Sequence, residues 1–289
     1  DTMSAPAPTA AAPRSSAFGR ATRSGGLALG VLIVVASIAA AVAAPWIAPF
    51  DPNAQDVLLV LSPPDTVHPL GTDAFGRDVL SRILWGARIS LYVGFVATLA
   101  GVVIGTVIGV VSGYYGGLVD RLVVAATDVL LSFPQLIMGL LLVAVLGASL
   151  TNLIIAIAVT AVPAFIPMAR GSTLATRGRG VVDARRALGY SDMRIMFLHV
   201  LPNILDELVV MASLWLATAI RTESTLAFIG LSVPPPTSTW GGIVREGFDN
   251  LLDAPWMSIF PSLAILAVMI GLNLIGDGLR DATDPRSPQ

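Results

Sequence analysis

Six long apolar runs dominate this 289-residue sequence and limit what it can fold into. An α-helix of about 20 apolar residues crosses the hydrocarbon core of a bilayer, which is about 30 Å thick. Hydrophobic residues make up 55% of the chain and charged residues only 12%, which excludes an ordinary soluble globule. We therefore predict an all-α membrane protein with six transmembrane helices, in the runs 27–47, 91–111, 122–146, 150–168, 208–220 and 259–275.

The seventeen basic residues are all arginines, and their distribution predicts an orientation. If the N-terminus is cytoplasmic, twelve arginines fall in inner segments and five in outer ones, as the positive-inside rule requires. This predicts a multi-pass protein of the cell membrane with both termini cytoplasmic. Residues 1–26, rich in Ala, Pro, Ser and Thr, predict a disordered cytoplasmic tail before a membrane domain spanning 27–286. The alternative is that residues 27–44 are a cleaved signal peptide.

A polar, arginine-rich segment interrupts the apolar pattern between the fourth and fifth runs. Its spacing predicts a short helix at about 181–192, outside the bilayer, which a left-handed glycine terminates. The residues that form this pattern are Asp183, Ala184, Arg185, Arg186, Gly189, Leu201 and Pro202. Their spacing resembles the cytoplasmic loop of ABC importer permeases, although this chain has Asp-Ala-Arg where that family usually has Glu-Ala-Ala. The resemblance implies that the segment is a coupling helix that docks on an ATPase; the alternative is an amphipathic helix on the membrane surface.

Three more blocks resemble one branch of that family, the second permease subunit of dipeptide, oligopeptide and nickel importers. They are GTDAFGRDVLSRILWGARISL at 71–91, ESTLAFIGLSVPPPTSTWG at 223–241, and 255–286 with its GDGLRD and DPR sequences. The first block predicts an amphipathic helix at the outer surface that leads into the second span. The resemblance implies a type I ABC importer permease fold, and we expect outer loops at about 48–90 and 221–258.

The same resemblance implies a function and a set of partners. The chain would form half of the translocation pathway for di- or oligopeptides, beside a homologous second permease subunit in the lipid bilayer. Two ATPase subunits and an extracytoplasmic substrate-binding protein would complete the importer. ATP and Mg²⁺ are expected on the ATPases and no cofactor on this chain, which lacks a GxxxxGK phosphate loop and so is not expected to be an enzyme.

Two alternatives remain open for the transported substrate and the mode of transport. The substrate could be nickel or another small solute, or the chain could be a secondary transporter without ATPases. The arginines are scattered around apolar spans, so no nucleic-acid footprint is predicted. No metal site is predicted either, because the chain has no cysteine and its histidines, His68 and His199, fall on opposite sides of the membrane.

Polar residues inside the spans are candidates for lining the pathway, because such residues are costly in lipid and often functional. Together they offer the hydrogen-bond donors and acceptors that a peptide backbone needs. Hydrogen bonds between packed helices are the alternative role, and for Asp128 an ion pair with Arg121. Gly101, Gly105 and Gly109 predict close helix packing. The candidates are Asp128, Ser132, Gln135, Asn152, Thr160, Thr218 and Asn273.

Overall fold

The computed structural model describes residues 25–178 and 180–283, and this part of the chain contains helices and no strand. The predicted tail, apart from its last two residues, lies outside the described residues, as do the arginines at 14, 20, 23, 179 and 286. The helices are α1 (Gly25–Ile47), α2 (Val79–Tyr115), α3 (Gly117–Ser132), α4 (Gln135–Leu146), α5 (Leu150–Gly178), α6 (Val181–Ala187), α7 (Asp192–Ile195), a π-helical turn (Met196–Val200), α8 (Leu201–Ile229), α9 (Trp240–Asp249) and α10 (Trp256–Thr283).

Five helical segments of the described residues are long and apolar enough to cross a membrane, and a bent pair makes six. One span is continuous from α7 through the π-helical turn to the end of α8. The bent pair is α3 and α4, which meet at 89°. Pro134 explains the bend, because proline restricts the preceding residue to extended backbone and Phe133 has φ −83° and ψ 134°. The predicted third span is therefore two helices and not one.

The helix α2 differs most from the sequence prediction. It contains 37 residues, a length of about 55 Å, and joins the predicted outer surface helix to the second span without a break. Asp78 caps its N-terminus, accepting a hydrogen bond of 2.7 Å from the backbone N–H of Ser81. The predicted outer loop at 48–90 is thus helical from Val79 onward. The loop predicted at 221–258 likewise contains the end of α8 and all of α9.

Glycines of α2 bring it against α5 along most of its membrane portion, as the sequence predicted. A Cβ atom built on Gly105 would lie 2.6 Å from the carbonyl oxygen of Val162. One on Gly109 would lie 2.5 Å from the carbonyl oxygen of Ile166. Because no side chain intervenes, the two backbones approach closely, and α2 and α5 form the centre of the bundle.

The first span belongs to this bundle. A Cβ atom on Gly30 of α1 would lie 2.6 Å from the carbonyl oxygen of Gly271 in α10. Leu27 of α1 is buried and joins Ala282 of α10 in a small apolar cluster. The helix α1 thus packs along α10 as part of the bundle.

Candidate functional site

The predicted coupling segment forms a short helix with a defined end. Gly189 has φ +81°, which confirms the predicted left-handed conformation. Its N–H donates to the carbonyl oxygen of Arg186 at 3.0 Å, and the N–H of Tyr190 donates to that of Arg185 at 3.2 Å. These two bonds form a Schellman motif, which satisfies carbonyls that the helix leaves free. A Cβ atom on Gly189 would have no neighbour within 4 Å, so backbone conformation alone favours glycine here.

One face of α6 is anchored in the bundle. Val182 is only 2% exposed and joins an apolar cluster with Ile195, Met196 and residues of α2 and α5. Tyr114, in the last turn of α2, belongs to the same cluster. The short helix is therefore packed against α2 and α5.

Polar contacts join α6, α7 and α2 at this end. The hydroxyl of Tyr114 donates to Asp192 Oδ1 at 2.6 Å and accepts from Arg186 Nη2 at 3.2 Å. Arg186 also donates to Asp192 at 3.1 Å. The hydrogen bonds to Asp192 and Tyr114 raise the pKa of the Arg186 guanidinium above its ordinary value. Arg186, predicted as a docking residue, thus holds the segment together and leaves half of its side chain exposed.

Arg185, Leu201 and Pro202 lie around the start of the fifth span. Arg185 Nη1 donates to His199 Nε2 at 2.6 Å, which requires that this nitrogen carries no proton. Pro202, which has no N–H, is the second residue of α8 and directly follows the π-helical turn. Leu201 packs against the apolar cluster beneath. These residues fix the connection from α6 into the span, while Ala184 is exposed.

Exposed apolar side chains lie close in sequence to α6, and these were not predicted from the sequence. Leu188 is 75% exposed, Met193 60% and Leu198 58%. Interfaces with a partner protein typically have an apolar centre with a charged rim. Single exposed apolar residues are common on proteins and do not by themselves identify an interface. Their closeness in sequence to the charged motif is the one signal that could have indicated these three.

The pathway candidates do not form one group. Asp128, Ser132 and Asn273 are exposed on α3 and α10. Among the ion pairs of residues 25–178 and 180–283, none joins Asp128 to Arg121, so the predicted pair is absent. Arg121 Nε instead donates to the carbonyl oxygen of Gly117 at 3.4 Å. The pathway role predicted for these three exposed side chains stays a prediction.

Two other candidates make hydrogen bonds within the chain. Thr160 is 3% exposed and donates to the carbonyl oxygen of Ile157 at 2.8 Å. Asn152 Nδ2 donates to the carbonyl oxygens of Leu146 at 2.7 Å and Gly147 at 3.0 Å, closing the turn between α4 and α5. The structure gives both side chains a role in folding.

The remaining two candidates, Gln135 and Thr218, make only long hydrogen bonds. Gln135 Nε2 donates to Thr222 Oγ1 at 3.4 Å, which connects α4 to α8 by a long hydrogen bond. Thr218 Oγ1 lies 3.4 Å from the carbonyl oxygen of Leu214, one turn back on its own helix. Bonds of this length are weak, so the pathway role predicted for these two side chains stays a prediction.

A second polar centre lies at the opposite end of the bundle, which we call the α9 end. Arg77 Nε contacts Asp73 Oδ2 at 2.6 Å, and Arg82 Nη1 contacts the same oxygen at 2.5 Å. Both arginines also contact Glu246 of α9, at 2.8 and 2.5 Å. The helix predicted to lead into the second span is present, but Arg82 is only 2% exposed, so its charged side chains are buried and do not lie on the outer surface as predicted. The charges are paired and buried because α9 covers them.

Comparisons with known proteins agree with this architecture. The family model described as "Binding-protein-dependent transport system inner membrane component" matches residues 105–287. The glutathione transport system permease protein GsiD of Escherichia coli strain 536 is 41% identical over 256 residues, covering 88% of this chain and 84% of the relative. A peptide transport system permease protein of Brucella suis biovar 1 is 39% identical over 258 residues, covering 89% of this chain and 87% of the relative.

A solved structure shares the fold. The MetNI methionine ABC transporter, crystallised in inward facing conformations, aligns with a TM-score of 0.58 at 22% identity. The alignment covers 71% of this chain and 98% of the solved one. The resemblance to ABC importer permeases and the all-helical fold are confirmed, and the described residues contain five spanning helices and one bent pair that can make the sixth span. The chain belongs to the binding-protein-dependent transport system inner membrane components, the permease subunits of ABC importers.

Proposed function

We propose that this permease forms half of the pathway of an ATP-driven importer for short peptides. The observation that carries the proposal is the α6 segment. It is a short helix with a defined end and exposed charged and apolar side chains. Its Val182 packs into the bundle, and its Arg186 donates hydrogen bonds to Tyr114 of α2 and Asp192 of α7. A secondary transporter has no use for such a docking helix. The proposed docking residues are Asp183, Ala184, Arg185, Arg186 and Gly189, positioned by Leu201 and Pro202.

The partners follow from this role. Two ATPase subunits bind ATP and Mg²⁺ and contact the α6 end, while a homologous permease completes the pathway within the lipid bilayer. An extracytoplasmic binding protein delivers the substrate at the α9 end. Both termini are then cytoplasmic, in agreement with the arginine bias.

The mechanism is alternating access between two states of the bundle. Closure of the ATPases displaces α6, and the contacts of Tyr114 and Val182 transmit the displacement to α2. The long, closely packed pair of α2 and α5 moves as one body, because its glycine contacts leave no room for sliding. The pathway opens toward the binding protein, and hydrolysis resets it.

Peptides are the favoured substrate class because of the relatives. One similar protein is named for glutathione transport and another for peptide transport. Glutathione is itself a tripeptide, so both names describe small molecules with amide bonds and free carboxylates. Nickel or another small solute is the second candidate, which the uptake assay below tests with the same proteoliposomes.

Cross-linking tests the docking. The chain has no cysteine, so Leu188→Cys introduces its one thiol on the exposed surface beside Gly189. In the assembled complex we expect a cross-link from this thiol to an ATPase subunit. Val57→Cys is the control, because Val57 is 82% exposed in the loop before α2. A cross-link to the ATPases from position 57 and none from position 188 would reverse the assignment of the two ends.

Uptake tests the transport itself. Proteoliposomes containing the complete complex and binding protein should accumulate a radiolabelled dipeptide only with ATP. Accumulation of ⁶³Ni²⁺ and no peptide would establish the second candidate. Accumulation without ATPase subunits would refute ATP-driven import.

A further inference from the structure

A cavity of about 400 Å³ opens at the α9 end, between the last turn of α8, the following loop and α9. Its lining includes Ala227 and Gly230 of α8, Ser232 and Thr237 of the loop, and Arg245 of α9. Volumes of this size hold small ligands or the end of a larger one.

The cavity contains one positive charge without a partner. The neighbouring acid, Glu246, is already paired with Arg77 and Arg82, and these two arginines also share Asp73. That cluster of two acids and two arginines is neutral as a whole. Arg245 is exposed, and among the described residues no ion pair or hydrogen bond involves its guanidinium, so its charge faces solvent and is open to an anionic ligand.

The backbone around the cavity positions this guanidinium. Gly230 has φ +95°, and the Arg245 guanidinium occupies the space that a side chain on Gly230 would fill. It lies at the C-terminal end of α8, where the helix dipole favours a cation. That partial charge orients the guanidinium but supplies no acceptor for its five N–H donors.

An unsatisfied hydroxyl lines the same space. Ser232 is 7% exposed, and its Oγ has no hydrogen-bond partner among the described residues. A buried polar atom without a partner costs free energy, which a bound ligand would recover. A guanidinium and a hydroxyl donor together suit a carboxylate, since arginine binds that group with two parallel hydrogen bonds.

We propose that this cavity binds the free α-carboxylate of a peptide as it enters the permease, with Arg245 as the charge partner and Ser232 as a second donor. This inference rests on the proposed function and adds a substrate feature to it, namely an unblocked C-terminus. The cavity lies at the end opposite to α6, where substrate would arrive from the binding protein.

The test uses a thiol beside Arg245. Thr237 is exposed and lines the cavity, so Thr237→Cys places a reporter there in a chain that has no other cysteine. The complex of both permeases and the ATPases is placed in nanodiscs, without binding protein. The chain is labelled with an anionic sulfonate or a cationic trimethylammonium methanethiosulfonate reagent. For each reagent, the rate at position 237 is divided by its rate with a free thiol in solution. We expect this relative rate to be about tenfold higher for the anionic reagent, because the charge of Arg245 attracts the anion and repels the cation.

Second substitutions test whether Arg245 causes this preference for the anionic reagent. Adding Arg245→Gln should abolish it, whereas Arg88→Gln, at another exposed arginine outside the cavity, should leave it intact. Thr66→Cys, in the loop before α2, should show no dependence on Arg245. A preference that survives Arg245→Gln would overturn the proposal.

Peptide protection identifies the ligand. Millimolar alanyl-alanine should slow labelling at position 237 several-fold. Alanyl-alanine amide, which has no free carboxylate, should not slow it. In Ser232→Ala, alanyl-alanine should slow the labelling less. Equal protection by alanyl-alanine and by its C-terminal amide would overturn the proposal. A complex that transports no peptide in proteoliposomes would defeat the proposed function, while a peptide-transporting complex without charge-selective labelling would defeat only this inference.

Discussion

The hydroxyl of Tyr114 donates a hydrogen bond of 2.6 Å to Asp192 Oδ1, across 78 positions of the sequence. This bond joins the last turn of α2 to the first turn of α7. The segment that connects α5 to α8 is thereby attached to the longest helix of the bundle, whose other end begins at the buried charges of the α9 end. One hydrogen bond thus lies on the route between the two functional ends.

Removing that hydroxyl should weaken coupling without preventing assembly. Tyr114→Phe keeps the buried ring but removes the donor to Asp192 and the acceptor for Arg186. We expect a loss of about 1–2 kcal/mol in the free energy of unfolding, because Asp192 and Arg186 keep their mutual contact. Substrate-stimulated ATPase activity and peptide uptake, measured on one preparation, should show more ATP hydrolysed per peptide transported.

Tyr115→Phe is the matched control. Tyr115 is 50% exposed, and no hydrogen bond is recorded for its hydroxyl in the described part of the chain. It should therefore match the wild type in stability and coupling. Equal effects of the two substitutions would show that the bond to Asp192 does not transmit motion.

Gly189 gives a sharper test of the α6 segment. A Cβ atom costs about 1 kcal/mol at φ +81°, and a β-branched side chain costs more. Since nothing lies within 4 Å of that Cβ position, Gly189→Val should shift the helix end without disturbing packing. The complex should assemble, and ATP hydrolysis should be uncoupled from transport; Asp183→Ala should uncouple it more mildly.

Gly171→Ala controls for the added methyl group. Gly171 lies within α5 and also has open space around its Cβ position, but its φ is not positive. Alanine should be neutral or slightly stabilising there, since it favours helix. A complex with Gly189→Val that assembles and transports at the normal rate would refute the coupling role of the segment.

The glycine contact between α2 and α5 predicts a loss of stability. In Gly109→Ala the new methyl group would lie 2.5 Å from the carbonyl oxygen of Ile166, so the helices must separate. Overpacking of this kind costs about 1–3 kcal/mol. Gly139→Ala, whose Cβ would lie 3.6 Å from Leu226 Cδ1, should be tolerated. Thermal unfolding in nanodiscs compares the two; similar midpoints would contradict the close approach.

The span pattern and the α6 segment could be predicted from sequence because both depend on local information. Apolar run length identifies a membrane helix, and a glycine after a short polar helix identifies its end. The sequence shows a proline at 134, from which a bend can be predicted. The angle of 89° could not be predicted, because it depends on what the two helices pack against.

The α9 end could not be predicted in the same way. Arg82 resembles an exposed arginine because its partner, Glu246, lies 164 residues away in the sequence. The unpaired state of Arg245 is equally a long-range property, since it depends on which arginines have already engaged Glu246. Pathway candidates such as Thr160 failed to group for a related reason: helix rotation, which sequence leaves open, decides which face a residue occupies.

The buried ion pairs supply the last prediction. Arg82→Met removes the side chain that contacts both Asp73 and Glu246, leaving Arg77 as their partner. Breaking a buried pair typically costs about 3–5 kcal/mol, and we expect the lower part of that range because Arg77 remains. Arg88→Met, at an exposed arginine whose guanidinium contacts the Trp85 ring, should change stability by no more than about 1 kcal/mol. In a double-mutant cycle, Glu246→Gln should cost less when Arg82 is already methionine, since the two residues are directly paired. Additive losses in thermal unfolding would mean that the pair contributes nothing to holding α9 against α2.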